Sequence, residues 1–235
     1  PYINNEFSIK SLAVLRSSEL NIPVNSRFIV NNQLLINHPT ALLTGSGTLV
    51  ASSVNLAAGD ITVNNLELAG TSTGIISLSK SVTVSNFKFN KNVKINEGSS
   101  LQTITVTGLL DLCSGSLSPL SQLNFNVSGN ISLNLCGTTA TDLSSSVVNI
   151  NGVSNQTLFG SVGAYRGKFF HLNVNKPSGA LTIQNSLSFH GDYIVNTGNI
   201  IYDNSAAFWF DATTGVKHNI QAANHDIQNF QISDP

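Results

Sequence analysis

The chain has 235 residues, 41% of them hydrophobic and only 10% charged, with a net charge of -1. This is enough apolar material for one large core, and near-neutrality excludes a general electrostatic attraction to nucleic acid or anionic lipid. No apolar run approaches the roughly 20 residues of a membrane-spanning helix, so neither membrane insertion nor nucleic-acid binding is expected.

Residues 1–25 include Ile9-Lys10-Ser11-Leu12 and the polar stretch from Arg16 to Asn21. Residues 1–45 match the repeat pattern poorly, and residues 1–25 are predicted to be an N-terminal join or cap; residues 26–235 are predicted to be the repetitive body. Pro1-Tyr2-Ile3-Asn4-Asn5 does not look like a signal peptide. The absence of Met, even at position 1, predicts a piece excised or processed from a longer protein.

Within the body, an apolar, Thr-or-Asn, apolar triplet recurs as Ile61-Thr62-Val63, Val82-Thr83-Val84, Ile104-Thr105-Val106, Phe125-Asn126-Val127, Val148-Asn149-Ile150 and Leu172-Asn173-Val174. Its first members stand at positions 61, 82, 104, 125, 148 and 172, a nearly constant step. Side chains alternate across a strand, so the flanking apolar residues face one way and Thr62, Thr83, Thr105, Asn126, Asn149 and Asn173 face the other. A second ladder follows a few residues later: Leu66-Glu67-Leu68, Phe87-Lys88-Phe89, Leu110-Asp111-Leu112 and Leu133-Asn134-Leu135, continuing loosely at Gln156-Thr157-Leu158. Val54-Asn55-Leu56, Ile76-Ser77-Leu78 and Val93-Lys94-Ile95 suggest a third strand per coil.

A fixed period of this size is the signature of a solenoid. Helical periodicity is absent, and Ser, Thr, Asn and Gly do the polar work that turns corners. The predicted fold is all-β, a single-stranded right-handed parallel β-helix (β-solenoid) of about ten rungs of about 22 residues.

Cys113 follows Leu110-Asp111-Leu112 and Cys136 follows Leu133-Asn134-Leu135, so one step of the second ladder separates them and adjacent rungs are predicted. Stacking at about 4.8 Å suits a disulfide; the alternative is two reduced, partly buried thiols. A bond would imply an oxidising compartment. Two cysteines without a nearby His pair do not supply a metal site, and no cofactor is predicted.

Catalysis on a polysaccharide needs carboxylates at matching positions of neighbouring rungs. Asp60, Glu67, Glu97, Asp111 and Asp142 do not stack in either ladder. Asp111 is expected outward between Lys88 and Asn134, in a cross-rung ion pair with Lys88. Lys80, Lys88, Lys91 and Lys94 read as a solvated rim. The C-terminal third gathers Asp192, Tyr193, Tyr202, Asp203, Trp209 and Asp211, where rings beside carboxylates suit glycan binding; the alternative is Phe208 and Phe210 in the core with Trp209 outward. His171, His218 and His225 are expected to be neutral and structural.

Several segments between residues 151 and 200 carry a resemblance: Asn151-Gly152 to Asn155-Gln156-Thr157, Phe169-Phe170-His171-Leu172-Asn173-Val174-Asn175-Lys176-Pro177-Ser178-Gly179, Leu181-Thr182-Ile183, and Gly191-Asp192 to Gly198-Asn199-Ile200. Leu109 to Ser118 is of the same kind. This wording resembles β-solenoid segments of very large surface proteins of Bacteroidetes-type bacteria, many exported by the type IX secretion system for adhesion or gliding. The resemblance covers roughly the last two thirds of the chain. It implies a non-catalytic, extracellular, repetitive module, secreted or on the cell surface, whose partners are flanking domains of a longer chain and surface glycans or outer-membrane secretion machinery. Two other classes stay open. One is a carbohydrate-binding or polysaccharide-degrading β-helix; the other is a flat ice- or surface-binding face built on Thr62, Thr83 and Thr105.

Overall fold

The computed structural model describes residues 5–70, 74–90, 93–95, 102–112, 117–118, 123–133, 142–160, 167–204, 206–211, 219–222 and 230–233. All regular structure among them is strand, joined in one 21-stranded sheet by parallel pairings. Parallel neighbours need a crossover between them. Here the crossover is the rest of the coil, as the chain runs from Leu49 round to Leu66 and from Ile131 round to Leu158. The chain is a parallel β-solenoid.

On one face, Phe7, Phe28, Leu49, Leu66, Phe87, Leu110, Ile131, Leu158, Ile183 and Tyr202 stack one above another in register. A second face carries the predicted Thr/Asn triplets. Val82, Ile104, Phe125, Val148 and Leu172 align as the sequence spacing requires, with Thr83, Thr105, Asn126, Asn149 and Asn173 aligned beside them. A third face contains Val54-Asn55-Leu56 paired with Ile76-Ser77-Leu78 and, near the C-terminus, Leu187 paired with Phe208 and Phe189 with Phe210.

Three registers differ from the sequence expectation. Ile131 and Ser132, not Leu133 and Asn134, lie opposite Leu110 and Asp111. Leu158, not Gln156, continues that column, and Ile95, not Val93, pairs with Ile76. In each case a residue two positions away keeps the same facing, because the strand period is two. Alternation alone therefore could not distinguish the registers.

Residues 6–21 form a complete rung: Glu6–Ile9 and Leu12–Val14 pair with Arg27–Ile36, and Glu19–Asn21 pairs with Leu42–Leu56. Its strands are largely exposed, with Phe7 at 60%, as in an end layer covered from one side only.

The core is a continuous column of inward residues. It is aliphatic over the early rungs, through Val30, Leu43, Leu49 and Leu68, and becomes aromatic towards the C-terminus. Phe189 stacks on Phe169, Phe208 and Phe210, with centroids at 6.0, 5.7 and 4.9 Å. Corners are close-packed too: a Cβ on Gly129 would collide with the Gly108 carbonyl of the rung before, so only glycine fits there.

Candidate functional site

The outward column that the triplets predict is a hydrogen-bonded ladder over its second half. Asn149 Nδ2 donates to Asn126 Oδ1 at 3.1 Å, and Asn173 Nδ2 donates to Asn149 Oδ1 at 3.0 Å. These side chains are half-buried, and the Asn149 amide, in the middle, supplies a donor to one rung and an acceptor to the next. Thr62 and Thr83 are exposed and Thr105 is half-buried. The next position after Asn173 is Ile194, which interrupts the run of amides before Gln221 on the following rung.

The C-terminal candidates divide between two faces. Tyr193 is fully buried, against the expectation that it joins an external sugar-binding surface. It aligns with Leu172, and its ring lies 5.5 Å from Phe189 and 5.3 Å from Phe208. Its hydroxyl meets that of Tyr202 at 3.2 Å, and Tyr202 packs edge-on to Phe208 at 5.5 Å. Burial drives both phenol pKa values up, Tyr193 well above the ordinary 10.0. The core therefore takes one tyrosine and half of another. Asp203 is exposed and Trp209 half-buried, on the outward phase between Phe208 and Phe210, which both point inward as alternation requires. The Asp211 side chain, His218 and His225 lie outside the described residues.

Asp192 is held in place. Its Oδ1 accepts the Asn219 amide at 2.7 Å, and its own amide donates to His171 Nδ1 at 3.0 Å. Asp192 Oδ2 also approaches the same nitrogen, at 3.4 Å, so the two side chains hold each other across neighbouring rungs.

Three other described carboxylates are engaged in ion pairs. Glu67 meets Arg27 at 3.1 Å, Asp60 meets Lys80 at 2.6 Å, and Asp111 meets Lys88 at 3.9 Å. The last is the expected cross-rung pair, although Ser132 rather than Asn134 follows Asp111 in the column. Burial raises the Asp111 pKa, the Lys88 charge lowers it, and Glu67 raises it again. Among the described residues, no group of three or more His, Cys, Asp or Glu converges as metal ligands. Cys113 and Cys136 lie outside the described residues.

The most elaborate polar arrangement lies outside the sequence expectations. Lys176 is 1% exposed, and its ammonium donates to the Gly152 carbonyl at 2.8 Å, the Ser154 carbonyl at 2.8 Å and Gln156 Oε1 at 2.7 Å. Gln156, itself buried, accepts the Gly152 amide at 3.1 Å and donates through Nε2 to the carbonyls of Val127, at 3.2 Å, and Gly129. Nearby, Ser178 Oγ donates to the Val153 carbonyl at 2.7 Å and Asn155 Oδ1 accepts the Ala180 amide at 2.9 Å. Three successive rungs are thus joined at one corner. The three ammonium protons meet three neutral acceptors, which satisfies the buried charge without a counter-ion; desolvation nonetheless pulls the Lys176 pKa below its ordinary value. One signal is legible in the sequence: Lys176 is in phase with inward Leu172 and Val174.

No family model, curated protein or solved structure matches the chain. The class is set by the fold, a parallel β-solenoid.

Proposed function

We propose that this chain is a non-catalytic structural and adhesive module of a larger bacterial cell-surface protein, exposed outside the cell. Its partners are flanking domains of the same chain together with surface glycans or the secretion machinery of the outer membrane. One observation carries the reading: many of the described polar and charged side chains along the coil are spent between rungs. Asn126, Asn149 and Asn173 bond to one another, Lys176 and Gln156 bond backbone carbonyls of neighbouring coils, and Glu67, Asp60 and Asp111 sit in ion pairs. A rod stitched in this way suits bearing load and presenting a surface. The sequence likeness to exported surface proteins supports the location.

Two measurements test the reading. Antibodies against the chain should label intact cells of the native organism; labelling only after permeabilisation would remove the extracellular assignment. Incubation with a broad polysaccharide panel should release no reducing ends. Release that disappears on changing Asp192 or Asp203 would establish a degrading enzyme instead.

A further inference from the structure

The corner between the second and first faces is bridged by bonded amide side chains between Asn65 and Asn130 and open at its N-terminal end. Arg27, Thr48, Asn65, Asn86, Leu109 and Asn130 form one column there. From Asn65 on, the amides are committed to neighbouring rungs. Asn86 Nδ2 donates to Asn65 Oδ1 at 2.7 Å, Asn86 Oδ1 accepts the Leu109 amide at 2.8 Å, and Asn130 Oδ1 accepts the Thr157 amide at 2.8 Å.

Above them lies a groove of about 420 Å³, within the range of roughly 300 to 1,000 Å³ typical of small-ligand sites. Its side chains are of the same polar kind but uncommitted: among the described residues, those of Asn25, Ser26, Ser46 and Thr48 make no intramolecular hydrogen bond. Arg27 gives one N–H to Glu67 at 3.1 Å and retains the others of its five. The walls are built. Asn25 holds a left-handed φ of 62° in the turn closed by the Ser26 amide on the Pro23 carbonyl at 3.1 Å. Gly47, whose Cβ would collide with the Pro23 carbonyl, lets that turn sit against the next rung.

The lining selects the chemistry. Among the described residues, Val24, 66% exposed, is the only apolar side chain of the groove, too little for an apolar ligand. Glu6 on the rim and the Arg27–Glu67 pair leave one net negative charge, which disfavours phosphate, sulfate or uronate. Amides and hydroxyls that both donate and accept suit vicinal hydroxyl groups, and Val24 offers a patch for the C–H face of a sugar ring.

We infer that this corner groove binds a neutral oligosaccharide through Asn25, Ser26, Ser46, Thr48 and the free N–H groups of Arg27. This rests on the adhesive reading above only for its biological use, since binding is measured whatever the location of the chain.

The test titrates the whole chain separately with cellohexaose, maltohexaose, xylohexaose, mannohexaose and chitohexaose to millimolar concentration, followed by amide chemical shifts. At least one should bind saturably, with shifts centred on residues 24–27 and 46–48. Asn25→Gly, which keeps the left-handed backbone, and Ser46→Ala, at an exposed site, should each weaken it about three- to tenfold. Trp209→Phe should leave it unchanged. Absence of saturable binding in the whole panel overturns the inference, as does binding insensitive to both groove variants or shifts centred on Trp209. None of these results bears on the surface-labelling experiment, so the two ideas fail separately.

Discussion

The early rungs, residues 27–69, and the late rungs, residues 146–202, keep the same parallel register by different means. In the early rungs the core is chiefly aliphatic, outward Thr62 is exposed, and the charged side chains pair at the surface, as Arg27 does with Glu67. In the late rungs the outward positions are half-buried amides bonded in series, and a corner contains a buried ammonium. Backbone pairing and inward alternation suffice to build the coil. The late rungs add side-chain bonds that fix one rung against the next, while the early corner leaves such groups open to solvent.

The largest test of this contrast is Lys176→Met. It would leave the Gly152 and Ser154 carbonyls without the ammonium and take one of two donors from the Gln156 amide oxygen, at a cost of about 3 to 5 kcal/mol in chemical denaturation. Lys88→Met, at a side chain 40% exposed, should cost less than about 1 kcal/mol. Similar losses would mean that the Lys176 corner is no better sheltered from water than a surface lysine of the middle rungs.

Core truncations come next and should not respect the contrast. Phe125→Ala and Leu172→Ala, both at fully buried positions, should each cost about 2 to 5 kcal/mol through lost burial and a cavity. Asn126→Ser should cost far less than Phe125→Ala; equal losses would mean that the facing of this strand is wrong.

Smaller still is the difference along the outward column. Asn149→Ala removes one donated and one accepted bond and should cost about 1 to 2 kcal/mol, whereas Thr83→Ala at an exposed position should stay within about 0.5 kcal/mol.

The smallest effect separates the groups by pH. Tyr193 has a folded pKa raised above its unfolded value of 10.0. Its contribution is therefore complete below pH 10 and declines as the pH rises, because the unfolded phenol ionises first. Lys176, with a lowered folded pKa, acts with the opposite sign below its ordinary 10.5. Comparing Tyr193→Phe with the parent chain isolates the tyrosine. The variant should lose less stability between about pH 9 and pH 11 than the parent, and equal losses would place the Tyr193 phenol in water.

Much of the fold is legible in the sequence. The triplets from Val82 to Leu172 align residue for residue as their spacing indicates, because a strand buried on one face cannot slip by one residue. A slip of two is invisible to that rule, which is why spacing sets Leu133 against Leu110 where Ile131 stands. Proximity in sequence overstates the C-terminal cluster because it ignores phase. Tyr193 takes the inward place of Leu172 one rung on, while Trp209 and Asp203 face outward. Lys176 is hidden for the converse reason. Its phase is inward, but the acceptors that stabilise it come from Gly152, Ser154 and Gln156, a full coil earlier. The open groove depends on which side chains are left without partners, which spacing does not encode.

The central claim is that the outward amides hold rungs together. A double-mutant cycle on Asn126→Ala and Asn149→Ala measures it most directly. Their 3.1 Å bond predicts a coupling of about 0.5 to 1.5 kcal/mol, with the double variant less destabilised than the sum of the single ones. Strict additivity would contradict the account and return Asn126, Asn149 and Asn173 to the list of candidate binding residues.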